Sequence, residues 1–190
     1  MNKKIKDEID LMKKKLSYSL SDSDLKSVLG DDLRIIKYSD LDNFKSLNEL
    51  LPYNNSYVVI LIESEHNSGH WCAASRRDDT FCLIDSYGCD LRTELDFISR
   101  AKNYILGNTK KEMTDLIKNT SDCCEVIYNK ERLQSKNSGV ASCGRWCSAY
   151  LSMFKLGYDL QEFLEFIYKR CKDSGLPPDV VICKLIPIYN

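Results

Sequence analysis

Charge imbalance is missing from this chain. Its 27 Lys and Arg side chains face 28 Asp and Glu, leaving a formal charge of −1 at neutral pH. A dedicated nucleic-acid binder carries a strong basic excess, so that class is disfavoured; a local basic patch, and with it weak nucleic-acid contact, stays open. Long apolar runs are missing too. The longest, Tyr57 to Ile62, is six residues, against the roughly 18 needed to span a bilayer. No membrane association is expected. The opening stretch MNKKIKDEIDLMKKK is charged throughout and has no apolar signal core. The expected location is therefore a reducing cytosolic or nuclear space, where the glycosylation-like triplets at Asn54 and Asn119 have no meaning. Paired C-x-x-C knuckles are absent; the nearest spacings are Cys143/Cys147 and His66/His70, so no metal is expected. The nine cysteines are odd in number and argue against a disulfide framework; most should be small buried hydrophobes. Repeats, linkers and low-complexity tracts are not found, and only two histidines occur.

What is present reads as one domain over residues 1–190. Hydrophobic residues make up 43% of the chain, a globular composition. Residues 1–16 carry six Lys against three acids with Ile5, Ile9, Met12 and Leu16 at helical spacing, which predicts an amphipathic helix or a basic arm. Ser21-Asp22-Ser23-Asp24, followed by Leu25, Val28 and Leu29, reads as a capped short helix that Gly30 ends. Residues 34–38 are a strand candidate, and 40–51 read as a helix stopped by Pro52. Residues 56–63 form a strand buried on both faces. Residues 70–75 and 81–86 are two further strands, joined as a hairpin. Helices are predicted over 90–106 (Leu91, Leu95, Ile98, Ala101 and Ile105 in one stripe) and 110–118, and a strand over 124–128. A helix begins at Cys143 and is closed by Gly157; another is capped by Asp159 with Glu162 and runs to about Cys171. Pro177-Pro178 precedes a terminal apolar segment, 180–188.

Nucleophilic cysteine catalysis needs a thiol that ionises, a base beside it, a group that orients the base, and donors for the oxyanion. Cys143 stands where a Gly/Ser/Asn loop turns into an apolar helix, and the free N–H groups of a helix start favour a thiolate. Gly144 removes a side chain beside it, so a substrate backbone can come close. His70 opens a strand and supplies the base; His66 lies in a polar loop and reads as solvated. Asp85 closes an apolar strand, where a carboxylate needs a partner. If Arg77-Asp78 forms a two-residue turn, paired positions sum to 155 and His70 lies directly opposite Asp85 on one face. A loop longer by one residue would put Ser86 there instead. Gln134, nine residues before Cys143, offers a neutral amide as oxyanion donor.

Taken in order, Gly-His-Trp, then Phe-x-x-x-Asp-Ser-Tyr-Gly, then Gln134, then Asn137-Ser138-x(4)-Cys143-Gly144-x-x-Cys147 resembles the cysteine proteases of the adenovirus maturation protease and ubiquitin-like-protein protease superfamily. The resemblance covers roughly residues 20–170 and is nearest to the adenovirus-type viral branch, which also occurs in virophages and large DNA viruses. It implies an α+β fold, with a mixed sheet packed on a central helix that carries the nucleophile. It implies a peptide or isopeptide hydrolase with Cys143 as nucleophile, His70 as base, Asp85 as its orienter and Gln134 as oxyanion donor. Trp71 would wall the cleft. The expected substrates are viral capsid and structural precursors, cut in or near the virion, in the host cytoplasm, or in a viral factory or nucleus, by a monomer. SUMO-type relatives carry a second Trp upstream of the His, which this chain lacks, so a deubiquitinase or deSUMOylase is the alternative rather than the first reading; a non-catalytic module retaining the fold is another. The gap from Gln134 to Cys143 is slightly longer than in the family. No cofactor is required, although such enzymes can be activated by a peptide bonded to a cysteine, for which Cys123 or Cys124 is suitably placed, or by DNA, for which Lys13–Lys15 and Lys110-Lys111 leave room.

Overall fold

A computed structural model of the chain describes residues 3–88, 95–108, 112–120, 124–137 and 139–188. Leu91, Lys110, Lys111, Cys123 and Ser138, named above, lie outside the described residues. Helices α1 (Lys3–Ser17) and α2 (Asp22–Leu29) lead into strand β1 (Ile35–Lys37). A 3-10 segment at Tyr38–Asn43 and α3 (Leu47–Leu50) connect it to β2 (Tyr57–Glu65), which is followed by β3 (Ser68–Arg77) and β4 (Thr80–Asp85). Then come α4 (Arg100–Ile105), α5 (Glu112–Thr120), β5 (Glu125–Tyr128), α6 (Cys143–Lys155), α7 (Leu160–Ser174) and α8 (Pro178–Leu185). The five strands form one mixed sheet in sequential order. β1–β2 and β4–β5 are parallel pairs, and the two central pairings are antiparallel. Parallel neighbours require a crossover, which the short helical pieces supply. The architecture is α+β.

Strand alternation sorts the sheet's side chains into two cores. Val59, Leu61, Trp71, Ala73, Cys82 and Ile84 pack towards α6 with Trp146, Cys147, Tyr150 and Leu151. Val58, Ile60, Ile62, Cys72, Ala74, Phe81 and Leu83 pack on the other side with Leu41, Leu47, Leu50, Leu116 and Ile117. The run in β2 is thus buried on both faces, as its unbroken hydropathy predicts.

Three elements differ from the sequence reading. The helix expected over 40–51 is split: Phe44 is extended (φ −117°, ψ 141°) between the 3-10 segment and α3. Leu41, Leu47, Leu50 and Leu51 are buried nonetheless, because burial needs only the right faces and not one continuous helix. Of the helix expected over 90–106, only Arg100–Ile105 is helical among the described residues, starting at the Ser99 cap. The terminal apolar segment is a helix, α8, with Pro178 at its start, where the missing N–H costs nothing.

The β3–β4 hairpin also turns one residue later than expected. Arg77 pairs with Thr80 and Cys72 with Asp85, so the turn is Asp78-Asp79 and paired positions sum to 157. The cause is local. The turn needs a left-handed residue, Asp78 takes that conformation at φ 52°, and Asp tolerates it better than Arg. Asn54 then pins Asp78 through its N–H and its carboxylate, both at 2.8 Å.

Candidate active site

Cys143 is the first residue of α6. Ser142 occupies the cap position, yet its hydroxyl does not cap the helix; it donates to Asp179 Oδ1 at 2.5 Å. The opening N–H groups of α6 are therefore left to the sulfur. Cys143 is 5% exposed. Burial by itself pushes its thiol up, but hydrogen bonding and charge from His70, followed by the main-chain N–H groups of Trp71 and Gly144, bring it below its ordinary value.

His70 lies near the start of β3 and Asp85 at the end of β4, at one end of the sheet. Neither Asp85 nor Ser86 lies directly opposite His70. Cys72 faces Asp85, so His70 and Asp85 are diagonal neighbours two residues apart, which keeps both on one face and within reach. His70 Nε2 and Asp85 Oδ1 are 2.5 Å apart. Asp85 Oδ1 also accepts the Tyr87 N–H at 2.7 Å, and Asn129 brackets the Asp85 main chain through its N–H (3.0 Å) and carbonyl (2.7 Å). Among the described residues, His70 Nδ1 has no partner within ordinary hydrogen-bond limits. It is the ring nitrogen that Asp85 does not engage, and Cys143 is near enough that the imidazole is raised by the thiol and the thiol lowered by the imidazole. Desolvation lowers the basicity of His70; the Asp85 charge and hydrogen bond, with a smaller contribution from Cys143, outweigh it and raise the imidazole to about 10. The arrangement thus favours a thiolate–imidazolium pair sealed from water.

Gln134 is 3% exposed rather than loosely solvated. Its Oε1 accepts from Ser86 Oγ at 3.0 Å, and its Nε2 donates to the Val140 carbonyl at 2.8 Å. The side chain thus links the residue after Asp85 to the loop three residues before Cys143, with a second amide hydrogen to spare. Trp71 is not placed as an open cleft wall. Its ring is 4% exposed in the α6-facing core, and its indole N–H donates to the Leu20 carbonyl at 2.9 Å. The space beside Gly144 is likewise taken by the protein itself: a Cβ there would lie 3.0 Å from Leu20 Cβ and 3.1 Å from Trp71 Cδ1. Gly144 lets α6 pack against Leu20 and Trp71 rather than leaving an opening. Cys147 is fully buried, and burial pushes its thiol well up. Cys124 is half-buried beside Asn48. His66 is exposed in the β2–β3 turn.

Two supporting groups escaped the sequence reading. Asp179, in the first turn of α8, accepts from Ser142 Oγ, Ser135 N (2.8 Å) and Trp146 Nε1 (3.2 Å), and so anchors the loop and helix that present Cys143. The Pro-Pro-Asp start of a helix was its only local signal. Tyr87 stacks on His70 with ring centroids 3.8 Å apart and planes 8° from parallel. In the sequence it belongs to the Asp-Ser-Tyr-Gly motif, which gives it no role of its own.

No family model matches the chain. It is similar to "Uncharacterized protein V9" of the Sputnik virophage, with 26% identity over 166 residues, which cover 86% of this chain and 91% of that protein. The relationship is distant and points to a virophage-related origin.

Proposed function

We propose that the chain is a viral cysteine endopeptidase that processes capsid or other structural precursor proteins, with the arrangement of the adenovirus maturation protease and ubiquitin-like-protein protease superfamily. The observation that carries the reading is the buried His70–Asp85 pair, whose other ring nitrogen is left unpaired among the described residues, together with Cys143 at the head of α6, its thiol brought down by His70. A structural cysteine has no need of a base whose far nitrogen is held by a carboxylate. The likeness to a virophage protein supports the viral setting.

In this mechanism the Cys143 thiolate attacks the scissile carbonyl carbon. The oxyanion that forms is held by main-chain N–H groups at the head of α6 and by the free amide hydrogen of Gln134. His70 Nδ1 gives its proton to the leaving amine, the C–N bond breaks, and a thioester remains on Cys143. His70, now neutral, takes a proton from water; the hydroxide attacks the thioester, the acid product leaves, and the thiolate–imidazolium pair returns. Asp85 keeps its charge throughout and fixes the ring.

The test is co-expression of the chain with virophage-type capsid precursors, with new N-termini mapped by mass spectrometry. Discrete new termini that disappear with Cys143→Ala are expected. Precursors left whole, together with cleavage of ubiquitin or SUMO conjugates, would replace this reading with the deconjugating one; no cleavage of either and no labelling of Cys143 by an electrophilic thiol reagent would end it.

A further inference from the structure

The loop that follows β4 is built around the imidazole. Ser86 accepts two main-chain N–H groups, from Leu133 at 3.0 Å and Gln134 at 2.9 Å, so residues 85–88 and 130–134 are zipped together. Gly88 makes the approach possible. It sits at φ +90°, and a Cβ on it would lie 2.8 Å from the Lys130 carbonyl oxygen. The zip brings Arg132 over Tyr87, with the guanidinium carbon 4.3 Å from the ring centroid and Nε donating to the Gln134 carbonyl at 2.9 Å. His70 lies 3.8 Å from the same centroid. Two groups that close cannot share one face of a ring, so the order of layers is Arg132, Tyr87, His70. Phe97 closes the edge, 5.4 Å from each of the two rings and nearly perpendicular to both.

We propose that Tyr87 is a positioning residue for His70, its ring stacked between the imidazole and Arg132 so as to fix the imidazole plane and keep water off the His70–Asp85 bond. Resting on the cysteine-nucleophile reading above, this deepens it. The physical argument has two parts. An imidazole hydrogen-bonded only through Nε2 can still swing about that bond, and a parallel ring at van der Waals distance removes the freedom. A charge-assisted hydrogen bond also weakens steeply as water enters, so the cover preserves the attraction between the imidazolium and Asp85. Tyr87 contributes at both ends: its N–H holds Asp85 Oδ1 while its ring holds His70. Among the described residues, the charged and titratable groups acting on this assembly are Asp85 from β4, Cys143 from α6, and Arg132 one layer out.

The experiment uses the full chain and two readouts. His70 and His66 are the only histidines, so their ring protons can be followed by NMR. In the unsubstituted chain the His70 ring protons should be displaced upfield of those of His66 by the Tyr87 ring; ordinary positions for both would overturn the stack without any variant. The second readout is the pH dependence of iodoacetamide labelling of Cys143, resolved from the other thiols by the mass of its peptide. Tyr87→Phe should keep the unsubstituted profile. Tyr87→Leu should move the acidic limb upward by about one pH unit, which is about tenfold slower labelling on that limb, because the imidazolium that stabilises the thiolate is less well held. Superimposable profiles for Tyr87→Leu and the unsubstituted chain, or equal shifts for Tyr87→Leu and Tyr87→Phe, would overturn the proposal. An ordinary thiol profile for Cys143 in the unsubstituted chain would instead overturn the nucleophile reading itself.

Discussion

Two cysteines one helical turn apart show how strongly surroundings divide a single side-chain type. Cys143 meets an imidazole and two main-chain N–H groups, whereas Cys147 meets only core, and the neighbouring Cys143 charge pushes it further from ionisation. Cys147→Ala should therefore leave peptide cleavage within a few-fold of the unsubstituted rate, measured with a peptide spanning a mapped site. A loss as complete as that of Cys143→Ala, in a folded protein, would mean that the other thiol does the chemistry. Asp85 is argued from the same balance. Asp85→Asn removes the charge that overcomes the desolvation of His70, so turnover should fall at least tenfold with circular dichroism unchanged. The pair also sets a pH window. In the proposed mechanism, cleavage requires a thiolate, favoured above the lowered Cys143 value, and an imidazolium, retained until about 10. A kcat/KM profile should show its alkaline limb near 10 and its acidic limb below the ordinary thiol value of 9.0, both limbs belonging to the coupled pair. For stability the sign is that of a raised base: the His70 contribution is complete below its ordinary 6.5 and is lost as pH rises through about 10.

At the level of elements, the head of α6 depends on α8. Ser142, in the cap position, spends its hydroxyl on Asp179, and Asp179 also takes the Ser135 N–H and the Trp146 indole N–H. Asp179→Ala would leave these donors without their acceptor. A buried donor stripped of its partner costs about 1–3 kcal/mol, so urea midpoints should show a loss of roughly that size or more, with slower labelling of Cys143 because its helix start is no longer anchored. A stability change confined to a few tenths of a kcal/mol would show that α8 merely lies beside the site. Element boundaries followed local signals where these were strong. The Asp159–Glu162 capping box starts α7 where the sequence puts it, and the capped Ser21–Asp24 stretch starts α2, the structure fixing Ser21 as the cap. The split at Phe44 was not legible, because apolar spacing reports which residues are buried and says nothing of a break that leaves the same faces inward.

On the scale of the molecule, Arg145 gathers both ends of the chain. Its side chain is fully buried, and it donates to the carbonyls of Tyr18 (2.6 Å), Ile186 (3.3 Å) and Ile188 (2.7 Å), tying the segment before α2 and the tail after α8 to α6. Arg145→Met keeps much of the volume and deletes the donors. It should cost about 3 kcal/mol and make both ends the first places cut in limited proteolysis; a cleavage pattern and midpoint equal to those of the unsubstituted chain would refute the tie. The sequence by itself determined the α+β composition, the buried run of β2, the start of α6 at Cys143 and the candidate residues in their order, because helix caps, apolar periods and motif spacing are properties of neighbouring residues. Tertiary structure alone decided that His70 meets Asp85 diagonally, that Leu20 and Trp71 pack against Gly144, that Asp179 anchors the head of α6, and that Tyr87 stacks on His70. Those outcomes depend on which left-handed residue the hairpin turn could adopt and on donors and acceptors far apart along the chain, and no local pattern encodes a distance of that kind.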